Sequence, residues 1–239
     1  MSSASRTLAA ARIRRVATEL ASVRDELVFI GGSVLPLLVD IERRFDAPRE
    51  TNDVDAVSAA ASYTRSARIE QHIRDAGYRH DTAARHRGRW ISPSGEIFDL
   101  SFAGDFSGAS GSAVDLMAIE TAQAMDDAPE IRHLSPVGLL LMKSAAFEDR
   151  GRKQPSDSRD LADIAVLLVG CDIVADAAAS QAEVRAEVRL RAERLLAVPG
   201  LRSGLLRHFA DRRPIPPDDP DSLCAEAEAM LERLIQLAT

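Results

Sequence analysis

The sequence predicts a mixed α+β fold: a core sheet flanked by helices over residues 1–135, followed by an all-helical domain over residues 136–239. Three observations carry that expectation. Aromatic residues make up only 4% of the chain against 46% hydrophobic residues, so the core must be built from Leu, Ile, Val and Ala, which favours helices. In the first half, short apolar or alternating runs are bounded by turn residues, as strands are. From Ser135-Pro136 onward the apolar positions recur at helical spacing. A chain of 239 residues is long enough for one large domain or two small ones, each with a real core.

Each element follows from a local pattern. Leu8, Ile13, Val16, Leu20 and Val23 recur at helical spacing with Arg between them, so Arg6 to Arg24 reads as an amphipathic helix. Leu27 to Ile30 is a short apolar run, a buried strand entering the turn Gly31-Gly32-Ser33. A helix is expected from Val34 to about Arg43, with Pro36 in its first turn, where the missing N–H is not needed. Asp53 to Val57 alternates polar and apolar, the period of a strand. Ser62 to Asp75 reads as a helix stopped by Gly77. Arg87 to Ile91 and Ile97 to Phe102 read as strands joined through the turn signal Pro93-Ser94-Gly95. Phe106 to Ser112, rich in Gly and Ser, reads as a mobile loop, and residues 113 to 134 as two more strands. Ser135 as N-cap and Pro136 at the first helical position start a helix to about Glu148. A charged loop, Asp149 to Pro155, precedes a helix from Ser156 to Leu168 that ends near Gly170. Further helices are broken at Pro199-Gly200 and at Pro214 to Pro220. The stretch from Arg212 to Pro220 reads as a stiff inter-helix linker.

Bulk properties narrow the function classes. A net charge of −7 excludes a uniformly basic nucleic-acid coat, although thirty Lys and Arg leave room for a basic face. No apolar run approaches the roughly 20 residues needed to span a bilayer, and the N-terminus has no secretory signal pattern. Cys171 and Cys224 match no metal-ligand spacing and read as reduced thiols. The expectation is a soluble cytoplasmic protein with no membrane association.

Three carboxylates stand in strand-like contexts. Asp53 and Asp55 are two apart, so their side chains leave the same face of one strand. Asp99 sits between Phe98 and Leu100 on another. Crowded acids on a half-buried sheet repel one another, and a hard dication removes the repulsion. Mg²⁺, with Mn²⁺ as the alternative, prefers such oxygens and bridges to phosphates, and paired ions stabilise both attacking and leaving oxygens in phosphoryl or nucleotidyl transfer. Gly31-Gly32-Ser33, between strand and helix, permits close backbone approach to a phosphate. Arg79, His80, Arg85, His86, Arg87 and Arg89 form a basic stretch ahead of Asp99, suited to an RNA 3′ end through phosphate contacts or, equally, to a solvated hairpin.

Taken in order, Ile30-Gly31-Gly32-Ser33, Thr51-Asn52-Asp53-Val54-Asp55 and Phe98-Asp99-Leu100 resemble the motifs of the polymerase-β-like nucleotidyltransferases. Leu134-Ser135-Pro136, Leu140-Leu141-Met142-Lys143, Ala146, Arg150 and Arg159-Asp160-Leu161-Ala162-Asp163-Ile164 are similar to the AbiEii/MenT-type toxin branch. The resemblance covers roughly residues 25 to 170, and the last seventy residues carry no such motif. It implies a nucleotidyltransferase-like core sheet, with the helical domain contributing Lys143 and Asp160 to the site. It further implies that Gly32, Ser33 and the neighbouring backbone hold the triphosphate of an NTP. Asp53 and Asp55 would bind metal, with Asp99 completing the metal site or activating the attacking hydroxyl. Lys143 and Arg150 would contact the nucleotide, and Asp160 is the acid that the branch places after the lysine. The expected acceptor is RNA, a tRNA 3′ end, and the expected partner a cognate antitoxin protein.

Plainer readings stand beside these. Lys143 also reads as a lysine snorkelling from an apolar helix. Asp160 and Asp163 read as first-turn acids suited to the helix dipole, and Arg150, Arg152 and Lys153 as a solvated loop. At the level of function, the alternatives are a small-molecule nucleotidyltransferase of the aminoglycoside-modifying type and a catalytically silent nucleotide-binding regulatory module.

Overall fold

The computed structural model describes residues 4–46, 51–59, 62–84, 88–103 and 113–237. Seven strands form one mixed sheet: β1 (Val28–Ile30), β2 (Asp53–Ser58), β3 (Arg79–His80), β4 (Arg89–Ile91), β5 (Ile97–Phe102), β6 (Gln123–Met125) and β7 (Ala128–His133). Their order across the sheet is β3-β4-β5-β2-β1-β7-β6. At its centre β2 runs antiparallel to β1 and parallel to β5. The alternation read in the sequence is realised in β2, where Val54 and Ala56 are fully buried while Asp53 and Asp55 face the other way and stay partly open.

Among the described residues, four α-helices accompany the sheet in the first half: α1 (Ala4–Glu19), α2 (Leu35–Leu38), α3 (Tyr63–Asp75) and α4 (Ala113–Glu120), which follows β5. From residue 136 the chain is helical, with α5 (Pro136–Ala146), α6 (Arg159–Gly170), α7 (Ile173–Ala179), α8 (Ala182–Leu196), α9 (Leu201–Asp211) and α10 (Pro220–Ile235). No helix among the described residues is long and apolar enough to cross a membrane. Several expected signals act as anticipated. Ser62 caps α3 by accepting from Arg65 N, and Ser135 caps α5 by accepting from Gly138 N at 3.2 Å, ahead of Pro136. Gly95 takes a positive φ of 85° in the turn between β4 and β5.

Five elements differ from expectation. The helix expected from Val34 to Arg43 is cut to the four residues of α2, because Val39 turns extended (φ −121°, ψ 134°). There it packs into the space left by Gly170, where an added Cβ would meet Val39 Cγ2 at 3.0 Å, so tertiary packing overrides the helical pattern. The first helix starts earlier than Arg6 because Glu42 caps it from outside, accepting from Ala4 N at 2.9 Å and Ser5 N at 2.8 Å, and it ends earlier, at Glu19. Residues 113–134 hold α4 before the two expected strands; the segment is apolar on nearly every side, so it shows no helical stripe. The loop expected from Asp149 starts inside a π-helical turn, Phe147–Gly151, that prolongs α5. Likewise α6 begins at Arg159, where Ser158 accepts from Leu161 N at 3.2 Å. The loop expected at Phe106 to Ser112 and the start of the strand expected at Arg87 lie outside the described residues.

The two halves share buried contacts. Phe45 stacks on Phe209 of α9 with ring centroids 6.2 Å apart and forms a backbone bridge with Pro214. Arg44 donates to Asp218 at 2.8 Å and to Glu226 at 2.7 Å. The segment between α9 and α10 is thus fastened to the residues that follow α2.

Candidate active site

Strand register assembles the acidic side of the site. Ile30 pairs with Asp55, Asp55 with Asp99 and Asp99 with Arg89, so β1, β2, β5 and β4 place these four residues in one row across the sheet. Directly paired residues share a face, which brings the two aspartates of the row together on Arg89's side. Asp53 stands two residues along β2 on that same face. Asp53, Asp55 and Asp99 can each direct one carboxylate oxygen to within 4.8 Å of the others.

The Gly31-Gly32 turn is shaped by these acids. Gly31 has φ +74°, and a Cβ there would collide with the Asp55 carboxylate; a Cβ on Gly32 would come within 2.7 Å of Thr51 Oγ1. The glycines let the end of β1 lie directly against the acidic strand.

The electrostatics follow from this crowding. Arg89 forks onto Asp99, Nε donating to Oδ1 at 2.8 Å and a terminal nitrogen to Oδ2 at 2.6 Å, and reaches Asp53 at 3.3 Å. Burial, then the negative charges of Asp53 and Asp99, push the Asp55 carboxyl up to about 7. Lys143 and Arg89 pull in the opposite direction without overcoming them. A hard cation among the three carboxylates would relieve the repulsion, and the donor set of carboxylate oxygens suits Mg²⁺ or Mn²⁺.

The facing wall comes from the helices. Lys143, on α5, lies 2.7 Å from Asp163 and 3.4 Å from Asp160, two acids on α6 that are 2% and 4% exposed. Burial disfavours the Lys143 ammonium, but the charges of Asp163 and then Asp160 outweigh it and hold its pKa above the ordinary lysine value. Arg150, carried on the π-helical turn, donates to both Asp160 oxygens at 2.8 and 3.1 Å. On its other side Asp163 faces Arg212 at 3.8 Å.

A cleft of about 290 Å³ lies between the walls. Gly32, Asp53, Asp55, Lys143, Arg150 and Asp160 all line it, so the structure brings together most of the residues singled out in the sequence. Asp99 adjoins through the acid cluster. Ser33 does not line the cleft: it is 3% exposed, donates to the Ile30 carbonyl at 3.3 Å, and borders a neighbouring cavity of about 430 Å³ on the side of α1. Of the basic stretch, Arg89 reaches the acids, whereas Arg79 and His80 lie exposed on the edge strand β3. Arg85, His86 and Arg87 fall outside the described residues. Sequence reasoning named Asp163 only within the motif around Asp160 and as a first-turn acid of its helix, and it gave Arg212 no role in the site. Asp163 follows Asp160 by three residues, the spacing that puts both acids on one helix face, and was readable; Arg212 lies in no motif.

A family profile described as "Nucleotidyl transferase AbiEii toxin, Type IV TA system" matches residues 16–234. No curated protein and no solved structure matches the chain significantly. The matched span holds the glycine turn, the three sheet acids, Lys143 and its helical partners, and the chain belongs to the AbiEii family of nucleotidyltransferase toxins.

Proposed function

We propose that the protein moves a nucleoside monophosphate from an NTP to a hydroxyl of RNA, a tRNA 3′ end, and acts in the cytoplasm as the toxin of a pair restrained by a cognate antitoxin. The observation that carries the nucleotidyl-transfer part is the single cleft in which two acids of a three-carboxylate cluster face Lys143 and Arg150. In this reading residues 1–135 are the catalytic domain, and residues 136–239 form the helical domain that supplies Lys143 and Asp160.

Asp53 and Asp55, with Asp99, would hold a divalent cation, Mg²⁺ or Mn²⁺. Bound there, it supplies charge stabilisation for the reacting phosphate and the departing pyrophosphate. The chain's own groups do the rest. The backbone at Gly31 and Gly32, free of side chains, lets the triphosphate approach. Lys143 and Arg150 bind its oxygens from the helical wall. Asp99, oriented by Arg89, takes the proton of the attacking hydroxyl; the hydroxyl oxygen bonds to the α-phosphorus as the bond to pyrophosphate breaks. The RNA acceptor rests on the family resemblance, and the exposed Arg79 on the edge strand β3 supports it as a group that suits a phosphate backbone.

The test is labelling of total tRNA with each NTP in the presence of Mg²⁺ or Mn²⁺, using the wild-type chain and Asp53→Ala. Label in RNA that disappears in Asp53→Ala is the expected result. Label that survives the substitution removes the role given to Asp53. Label found on aminoglycosides and absent from RNA moves the acceptor to the small-molecule class.

A further inference from the structure

The helical wall contains a charge arrangement that binding a phosphate does not by itself require. Lys143 lies between two buried carboxylates, and each carboxylate has a second cation behind it: Arg150 on Asp160, and Arg212 on Asp163. The Arg212 and Asp163 side chains are 6% and 2% exposed. Arg212 is also held in place by its backbone. It follows the last residue of α9, donates its N–H to the Phe209 carbonyl at 3.1 Å, and precedes Arg213, a non-glycine residue with a φ of 52°. Both sides of this turn are tied to the residues after α2, with Asp46 N on Arg213 O at 3.0 Å and Ile215 N on Arg44 O at 2.9 Å. One turn earlier in α9, His208 bonds to the Pro155 carbonyl at 2.9 Å, which ties the helix to the entrance of α6.

A buried carboxylate with a single cationic neighbour draws that cation strongly, because little solvent screens the pair. If Lys143 alone compensated Asp163, its ammonium would be drawn into α6 and away from the cleft. Arg212 shares the charge of Asp163 from the far side. We infer that Arg212, acting through Asp163, is a positioning residue that keeps the Lys143 ammonium at the cleft wall, and that this is a task of the C-terminal helices. The inference rests on the reading above that Lys143 meets the nucleotide's phosphates.

The chain has two lysines, Lys143 and the exposed Lys153, so the second serves as an internal standard. The native full-length chain is treated with limiting acetic anhydride, and acetylation at each lysine is read by mass spectrometry. Binding of each NTP with Mg²⁺ is measured in parallel by calorimetry. Asp163→Asn removes the anion beside Lys143 and raises its acetylation relative to Lys153 about fivefold. Arg212→Met leaves Asp163 to Lys143 alone and lowers the ratio about threefold. Arg212→Lys keeps the charge and leaves the ratio near wild type. Arg212→Met weakens NTP binding about tenfold and Arg212→Lys restores it, whereas Asp163→Asn, which removes the pull on the ammonium, leaves binding within about twofold of wild type.

Opposite signs in acetylation, with binding weakened only in Arg212→Met, distinguish positioning from loosening, which would raise acetylation and weaken binding in both variants. An unchanged or raised ratio in Arg212→Met overturns the proposal. The double variant Asp163→Asn, Arg212→Met covers a single variant that fails to fold. It should match Asp163→Asn alone, and a further change caused by Arg212→Met in that background also overturns the proposal. Wild-type protein that binds no NTP while the acetylation pattern holds sinks the functional reading and leaves the charge coupling standing.

Discussion

On the sheet wall of the cleft, three carboxylates crowd within 4.8 Å of one another with Arg89 against two of them. On the helical wall, two carboxylates alternate with Lys143, Arg150 and Arg212. Both walls bury charge, but the sheet wall leaves Asp55 crowded by like charge, whereas the helical wall compensates its own. The first arrangement is a standing demand for an external cation. The second is a structural brace that presents one ammonium. The same kind of substitution should therefore act with opposite sign on the two sides.

The widest separation is expected in activity. Asp53→Ala or Asp55→Ala should lower nucleotidyl transfer by on the order of 10³-fold or more, since several kcal/mol of charge stabilisation depend on the metal-holding acids. Single-turnover labelling at saturating NTP reads this directly. In stability, Lys143→Met should be the most damaging, at about 3–5 kcal/mol by urea denaturation, because it strips the central cation from between two buried acids. A loss below about 1 kcal/mol would mean that the helical wall is not the brace described.

Added Mg²⁺ should stabilise the wild-type chain by about 2–3 kcal/mol at a hundredfold excess over its dissociation constant, and should do little for Asp55→Asn. Without metal, Asp55→Asn should itself be more stable than wild type by about 1–2 kcal/mol, because it removes one charge from a crowded, desolvated set while keeping the shape. A metal-free Asp55→Asn chain that melts below wild type would contradict the crowding argument.

The smallest effect concerns pH. Burial lowers the pKa of His208, against the hydrogen bond to Pro155, so the folded chain holds this histidine neutral where the unfolded chain would protonate it. Its contribution to stability is fully present above the ordinary histidine pKa of 6.5 and is lost as pH falls from there through the depressed folded value. Denaturation midpoints between pH 7 and pH 5 should fall more steeply for wild type than for His208→Gln. His133, also lowered by burial, adds a slope of the same sign that the substitution leaves untouched.

Much of the sheet wall was legible in the sequence, because period-two alternation fixes which side chains share a face. The spacing of Asp53 and Asp55 and the apolar flanks of Asp99 were enough to place all three acids. Their alignment with Arg89 was not readable, since strand register is a non-local property. Ser135 and Pro136 marked the start of α5 through local capping chemistry, whereas α6 was expected from Ser156 and starts only after its Ser158 cap. The length of α2 was misjudged because Val39 is claimed by Gly170 from a distant helix. On the helical wall, Lys143 and Asp160 were found through resemblance, whereas the weight of Asp163 emerged only when its burial beside Lys143 was seen. Arg212 illustrates the limit most plainly: its significance depends on a turn held by Phe45 and Arg44, far away in the chain.

The contact between Gly31 and Asp55 has a consequence for genetics. In a family of toxins, a selection for cells that survive expression samples whatever lesions silence the protein while leaving the rest of the chain intact. At Gly31 a single methyl group is enough, because it would occupy the space of the Asp55 carboxylate in a backbone conformation that L-residues rarely adopt. Survivors should therefore carry Gly31→Ala, Gly31→Ser or Gly31→Asp beside the expected losses of the acids, and would identify the turn as part of the lethal machinery without any assay of its chemistry.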